Sequence, residues 1–174
     1  MDSDQFLYEM IRSELVEIVG SENVSTDEAD KLVYSTDWAW MPQMWLDRGK
    51  PLRTPDYIIH PGSAEEISEI MDIANKYRLP VVPWGGGSGS QGGALPIFGG
   101  ILLDTKRMNR VIAIDEKSLT VTAQAGINIS ELEWAVNERG LMFPHYAASS
   151  NCATLGGALA PRGSCTISSK YGKA

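Results

Sequence analysis

The sequence predicts an α+β fold in which a small parallel β-α-β unit is followed by a second, mainly antiparallel sheet. Apolar strand-like runs at residues 57–59 and 81–82 flank a helical pattern, and such a crossover joins parallel strands. Alternating runs at residues 111–114 and 119–123 then flank a polar turn, which is typical of a β-hairpin. With 174 residues, 43% hydrophobic and 21% charged, the chain has the composition of a folded globular protein.

The N-terminal part predicts helices and an irregular aromatic stretch. Apolar residues at three- and four-residue steps indicate an amphipathic helix over residues 4–19, and a shorter helix is expected over residues 29–33. Residues 34–47 carry three tryptophans around Pro42, which favours irregular chain. These aromatics fit either a contact surface for a partner or missing domain, or a loop folded over its own core.

Capping signals place the later helices. Ser63 and Glu66 form a capping box that begins the helix of the β-α-β unit, which ends before Pro80. A further apolar strand is expected at residues 101–103. Ser130 and Glu133 form a second capping box, and that helix is closed by a glycine at residue 140. Residues 144–174 are rich in Ala, Ser and Gly and show little helical period.

The strongest local signal is the glycine-rich run PWGGGSGSQGG at residues 83–93, directly after a predicted strand. Glycines allow successive N–H groups to face one concavity, which favours an anion, and serine hydroxyls add donors. The dinucleotide fingerprint requires a helix immediately afterwards, which Pro96 and the following glycines disfavour, and the P-loop requires Lys-Ser or Lys-Thr. The alternative of a plain flexible turn stays open, although so many glycines are costly in folding entropy.

A second small-residue loop, ATLGGALA at residues 153–160, offers backbone against which a flat, bulky group can lie. Either loop alone is a weak signal. Two such loops separated by strands and a helix form a more specific pattern.

Composition excludes several functional classes. The net charge is −7, from 22 acidic and 15 basic residues without a basic run, which argues against nucleic acid as a partner. An anion must therefore be held by local geometry. Two cysteines and two separate histidines indicate neither a disulfide scaffold nor a metal site. We find no secretion signal and no apolar run of about 20 residues, so we expect a cytoplasmic protein without a transmembrane segment.

At these positions the chain resembles the FAD-binding (PCMH-type) domain of the vanillyl-alcohol-oxidase-like superfamily. This group contains D-lactate and glycolate dehydrogenases and alkylglycerone-phosphate synthase. The matching motifs are residues 34–37, 54–56, 61–67, 83–93, 103–104, 108–110, 125–126, 131–133, 143–145, 153–157 and 170–172. The resemblance implies residues 1–50 as an N-terminal helical segment and aromatic loop, and residues 51–174 as an FAD-binding domain that is incomplete at its C-terminus. FAD is expected between the two sheets.

The resemblance also implies the cofactor-binding residues. Those at the first loop are Pro83, Trp84, Gly85, Gly86, Gly87, Ser88, Gly89 and Ser90, with the pyrophosphate on residues 85–90. Those implied to line the flavin and ribityl are Pro144, Ser149, Thr154, Gly156 and Gly157. Those implied to contact the flavin or brace its loop are Arg162, Gly163, Ser164 and Tyr171. Relatives with covalent FAD carry a histidine near the first loop; none lies between Val82 and Ile101, so FAD is expected to bind non-covalently.

One departure from the family pattern bears on the last of these loops. Many relatives have Gly-Gly where this chain has Ser164 and Cys165, which puts a close backbone approach there in question. No catalytic residue is assigned, and His145 and Tyr146 are expected to be wall residues. The implied activity of the complete protein is oxidation of a D-2-hydroxy acid such as D-lactate or glycolate.

Three alternatives remain for the function. The first is an alkylglycerone-phosphate-synthase-like flavin transferase. The second is one subunit of a split flavoenzyme that a second polypeptide or missing C-terminal region completes. The third is a truncated product without activity.

Overall fold

A computed structural model describes residues 3–174, which divide into two units. Unit 1 contains the described residues up to Trp84 together with Gly89–Asp104. Unit 2 contains Gly85–Ser88 and Thr105–Ala174. The predicted domain division after residue 50 stays a prediction.

Unit 1 is built around a four-stranded sheet with the strand order β1-β2-β4-β3. Its elements are α1 (Ser3–Val19), β1 (Val24–Ser25), α2 (Glu28–Val33), α3 (Trp40–Asp47), β2 (Tyr57–Ile59), α4 (Ala64–Tyr77), β3 (Val81–Trp84) and β4 (Ile101–Asp104). β1 is antiparallel to β2, whereas β2, β4 and β3 run parallel. The predicted parallel β-α-β unit is confirmed, and β4 pairs with both of its strands because it lies between them.

The core of unit 1 joins α1 and α4 to one face of this sheet. Ile11, Leu15 and Val19 lie on one stripe of α1, at the spacing that the sequence predicted. They pack in one cluster with Ile70 of α4 and with the completely buried Ile101 of β4. Burial of these apolar side chains is the main stabilising contribution to the unit.

The capping box of α4 is confirmed with one adjustment. The Glu66 N–H donates to Ser63 Oγ at 3.2 Å, as expected. The Glu66 carboxylate accepts from the Gly62 N–H at 2.7 Å, one residue before the N-cap. Arg78 ends the helix in the left-handed conformation, with φ of 55°.

The prediction that residues 34–47 are irregular chain was wrong over α3. Pro42 is compatible with this helix because it lies in the first turn, where its missing N–H has no intrahelical acceptor. Asp37 supports the start of the helix, since its Oδ1 accepts from the Ala39 N–H at 2.8 Å. Trp38 and Trp40 are 79% and 67% exposed, so these two side chains do not fold over the core.

Unit 2 begins with the predicted hairpin. Its elements are β5 (Val111–Asp115), β6 (Thr120–Ala123), α5 (Ile129–Asn137), α6 (Leu155–Leu159) and α7 (Ser168–Tyr171). β5 and β6 pair antiparallel with an irregularity between Val111 and Ala113. The Asp115 carboxylate accepts from the Lys117 N–H at 2.9 Å in the turn.

The predicted capping box of α5 was wrong. The N-cap of α5 is Asn128, whose Oδ1 accepts from Ser130 N–H at 2.9 Å, and not Ser130 itself. Glu133 therefore makes no capping bond, and its carboxylate accepts from the Phe143 N–H at 2.8 Å. The segment after residue 144, for which the sequence showed little helical period, forms α6 and α7, which are too short to show such a period.

None of the helices formed by residues 3–174 combines the length and apolar character that spanning a bilayer requires.

A polar interaction lies within the apolar interior of unit 1 at the end of β4. Asp104 is completely buried, and the Tyr34 hydroxyl donates to its Oδ2 at 2.6 Å. His60 Nδ1 lies 3.7 Å from the same oxygen. Burial, followed by the bond to Asp104, raises the pKa of Tyr34 far above its ordinary value, so its hydroxyl stays a donor at neutral pH.

We expect Tyr34→Phe to lower the free energy of unfolding by about 1–3 kcal/mol, because a buried carboxylate loses a donor. Tyr77→Phe is the matched control: its hydroxyl donates at 2.6 Å to Glu14, whose side chain is 29% exposed. Water replaces that donor, and the expected cost is below about 1 kcal/mol. Urea unfolding of both variants at pH 7 measures the difference, and equal costs would contradict the assignment.

Candidate functional site

The glycine-rich run leaves β3 as a loop and not as the start of a helix. No residue from 85 to 100 is helical. The dinucleotide fingerprint and the P-loop both place their phosphate at a helix start, so neither arrangement is present in this loop. Gly87 has φ of 63°, a conformation that favours glycine.

The first glycines lie directly against the second small-residue loop within unit 2. A Cβ on Gly86 would overlap the carbonyl oxygen of Cys152, and one on Gly85 would overlap Thr154 Oγ1. Only glycine permits this approach of one main chain to the other. The two loops, which the sequence identified separately, are therefore in contact.

This packing leaves main-chain donors available. Within the part of the chain that the structure describes, the N–H groups of Gly86, Gly87 and Ser88 donate no hydrogen bond to another residue. All three residues are half-buried, so these donors need a ligand or water as a partner. The remaining predicted residues of this loop belong to unit 1: Gly89 is exposed, and Ser90 Oγ accepts from Gln91 Nε2 at 3.3 Å.

The second loop is held rigidly by backbone bonds to residues before α5. Leu155 N–H donates to Ile127 O at 2.9 Å, and Gly156 N–H donates to Ala125 O at 2.7 Å. Thr154 is 2% exposed and caps α6, with its Oγ1 accepting from Gly157 N–H at 3.3 Å. The loop against which the glycines pack is therefore fixed in place.

One further predicted residue, Gly163, lies beside a buried histidine in the same unit. His145 is 5% exposed, and its Nδ1 has no hydrogen-bond partner among the described residues. Gly163 faces the ring, because an added Cβ would lie 3.5 Å from His145 Cε1 and 3.1 Å from Ala158 O. Arg162 precedes it with φ of 55°.

The departure at residues 164–165 is accommodated by local hydrogen bonds. Ser164 is exposed and Cys165 is half-buried. Cys165 N–H donates to Ser168 Oγ at 2.8 Å, and the Ser168 hydroxyl donates to Cys165 Sγ at 3.3 Å. The hydroxyl lowers the pKa of the Cys165 thiol from its ordinary value.

The other predicted residues are more dispersed. Trp84 is buried in unit 1, with its ring 5.1 Å from that of Tyr34, so only its main chain is available to a ligand. Pro83 and Pro144 are exposed, and Ser149 is half-buried. Tyr171 is 46% exposed in α7.

Sequence reasoning missed two residues that shape this site. Cys152 supplies the carbonyl against which Gly86 packs, a main-chain role that leaves no mark on residue type. A Cβ on Gly126 would overlap Thr105 O, and the Gly126 N–H donates to Met108 O at 2.9 Å. Its signals in the sequence were its place just before a capped helix and the family motif at residues 125–126.

The donor set fits a diphosphate. Main-chain N–H groups, together with the Ser88 hydroxyl, are suited to phosphate oxygens, and the second loop occupies the space that side chains on Gly85 and Gly86 would fill. No lysine or arginine lies within residues 85–93. Residues 85–88 are thus suited to hold the phosphates of a dinucleotide through the main chain.

Comparison with known proteins gives the family. A family model described as FAD binding domain matches residues 55–174. The glycolate oxidase subunit GlcD of Bacillus subtilis is 34% identical over 162 residues, covering 93% of this chain and 33% of the relative. The mitochondrial D-lactate dehydrogenase [cytochrome] of Arabidopsis thaliana is 30% identical, covering 95% and 28%. The chain thus spans about a third of the length of the curated relatives it matches.

Solved structures agree on the fold. An alkyldihydroxyacetonephosphate synthase superposes with a TM-score of 0.86 at 29% identity, covering 95% of this chain and 34% of that chain. A p-cresol methylhydroxylase superposes with a TM-score of 0.74 at 20% identity, covering 94% and 30%, and shows the fold alone. The fold is thus of the PCMH type, FAD is the cofactor, and the chain belongs to the FAD binding domain family of flavin-dependent oxidoreductases.

Proposed function

We propose that this chain forms the pyrophosphate- and flavin-binding part of an FAD-dependent enzyme that, when complete, oxidises a D-2-hydroxy acid such as D-lactate or glycolate. The observation that carries the proposal is the contact of Gly85 and Gly86 with Cys152 and Thr154. It brings the two loops together and leaves main-chain N–H groups of Gly86–Ser88 without a partner in the described residues.

The pyrophosphate is proposed to lie on residues 85–90. The protein carries a net charge of −7, so its overall field does not attract an anion. Local amide dipoles and the hydroxyls of Ser88 and Ser90 therefore provide the affinity. Pro83 and Trp84 take part through their main chain, since Trp84 is a core side chain of unit 1.

The flavin and ribityl are proposed to lie along the second loop. The Gly156 N–H already donates to Ala125 O, so Gly156 contributes close approach and not a donor, and Thr154 Oγ1 already accepts from the Gly157 N–H. The same role is proposed for Gly157, which has no side chain to obstruct a flat ring. Those proposed to line or brace the flavin further along are Pro144, Ser149, Arg162, Gly163, Ser164 and Tyr171.

Bound FAD supplies the two-electron chemistry, and the protein contributes position and electrostatics. In this chain the rigid second loop provides a fixed wall, and the glycine loop fixes the phosphate end. Two of the named relatives favour the hydroxy-acid substrate: one is a glycolate oxidase subunit and the other a D-lactate dehydrogenase. A cytoplasmic location is part of the same proposal.

A second candidate is a flavin transferase that resembles alkyldihydroxyacetonephosphate synthase. The specific observation is similarity to that class in both sequence and structure. The synthase of Dictyostelium discoideum is 35% identical over 127 residues, covering 71% of this chain and 21% of the relative. We further propose that a polypeptide region completing the flavin and substrate domains acts with this chain, either as its own continuation or as a separate subunit.

We expect Gly86→Ala to weaken binding of FAD and of ADP by about tenfold or more, because the new Cβ forces the loop away from the Cys152 carbonyl. Gly93→Ala is the matched control, since a Cβ there meets nothing within 4 Å. Isothermal titration calorimetry with both ligands provides the comparison. If the two variants bind equally, the loop contact does not govern the cofactor.

We expect the bound flavin to be released by acid precipitation of the holoprotein, since no histidine is present near the first loop for covalent attachment. Flavin absorbance is measured in the supernatant and in the washed pellet. Flavin that stays with the denatured protein would contradict non-covalent binding.

We expect anaerobic addition of D-lactate or glycolate to the complete flavoprotein to bleach the oxidised flavin absorption, whereas L-lactate does not. The transferase alternative predicts no net reduction by any of these acids. Stopped-flow absorbance with each acid separates the two candidates. Dithionite reduction serves as the control that the flavin is accessible to reduction at all.

A further inference from the structure

The contacts of the buried His145 imidazole do not explain a structural role for its ring nitrogens. Its ring is 5% exposed, and Nδ1 has no hydrogen-bond partner within residues 3–174. The ring packs edge-on against Phe143 at a centroid distance of 6.4 Å, which uses its apolar surface only. An unsatisfied buried polar atom is costly to the stability of the fold, so its presence calls for an explanation.

The chain makes room for this ring in a defined orientation. Gly163 lies beside it, and a Cβ there would be 3.5 Å from Cε1 and 3.6 Å from Nε2. The Gly163 N–H is fixed by a bond of 2.9 Å to Ala158 O. The ring is thus held between Phe143 and the main chain at Gly163.

The loop that follows carries more main-chain donors without protein partners. Among the described residues, the N–H groups of Ala147, Ala148 and Ser149 donate no hydrogen bond. The unpaired Nδ1 and these amides occur within five residues of one another. Each of these groups is able to donate a hydrogen bond to a ligand that carries acceptors.

We propose that Nδ1–H of His145 donates a hydrogen bond to the pyrimidine ring of the bound flavin. This inference rests on the proposed function. The pyrimidine ring of oxidised flavin presents carbonyl oxygens and ring nitrogens as acceptors against a single N–H donor, so a donor from the protein is the better match. Because reduction adds electron density to this ring, such a donor raises the reduction potential of the flavin.

Variants of the full chain test this assignment. His145→Phe keeps a ring of similar shape but removes both nitrogens, whereas His145→Asn retains a side-chain N–H near the position of Nδ1. We expect His145→Phe to weaken FAD and riboflavin binding by about tenfold, to lower the midpoint potential and to leave ADP binding unchanged. His145→Asn is expected to restore most of the flavin affinity. Gly86→Ala gives the reverse pattern, with ADP affected and riboflavin not.

A measurement on the unaltered chain keeps the test valid if the His145 variants fail to fold. The measurement follows the imidazole ¹⁵N signals of the two histidines, and a His60→Gln variant is used only to assign them. We expect the His145 Nδ1 signal to shift when FAD is added and to stay in place when ADP is added. A water molecule as the partner of Nδ1 predicts the same signal with both ligands and overturns the inference.

The outcomes distinguish failure of the proposed function from failure of the His145 assignment. If the chain binds no FAD, the proposed function fails and this inference fails with it. If FAD binds normally to His145→Phe with an unchanged potential, only the assignment of His145 is overturned.

Discussion

The close contact between two stretches of main chain is the constraint on which the site depends. Gly85 and Gly86 reach the carbonyl of Cys152 and the hydroxyl of Thr154 at distances that leave no room for a Cβ. The loop is thereby fixed from one side, and fixing it there reduces the entropy that a ligand would otherwise have to remove. An acidic protein without a cation in the loop can then hold a diphosphate, because the amides are already ordered.

The rigidity of that contact originates in the second loop. Leu155 and Gly156 form backbone hydrogen bonds with Ile127 and Ala125, the residues that lead into α5. Asn128 both caps α5 and forms a bridge with Thr154. One short stretch therefore begins a helix and aligns the loop, which links the stability of unit 2 to the geometry of the predicted cofactor site.

Sequence patterns predicted the parts of the fold in which side chains dominate. The stripe on α1 follows from the face that it buries, whereas the alternation predicted for the hairpin is interrupted in β5 by the irregularity between Val111 and Ala113. The helix α3 was missed because Pro42 indicates a break unless its position within the first turn is known. The cap of α5 was misplaced because Asn128 and Ser130 are both good capping residues two positions apart. Likewise, the glycine run predicted an anion site, but not that Cys152 would face it, since a carbonyl is common to every residue.

Two buried polar groups differ in whether the fold satisfies their hydrogen bonds. The difference distinguishes a group that stabilises the fold from a group that is proposed to bind a ligand. Asp104 is completely buried and accepts a hydrogen bond of 2.6 Å from the Tyr34 hydroxyl, so it contributes to the stability of the fold. His145 is nearly as buried, yet none of the described residues satisfies its Nδ1. An apolar ring at this position would fill the same space without the cost of desolvation. We therefore propose that the hydrogen-bond partner of this nitrogen is supplied by the ligand.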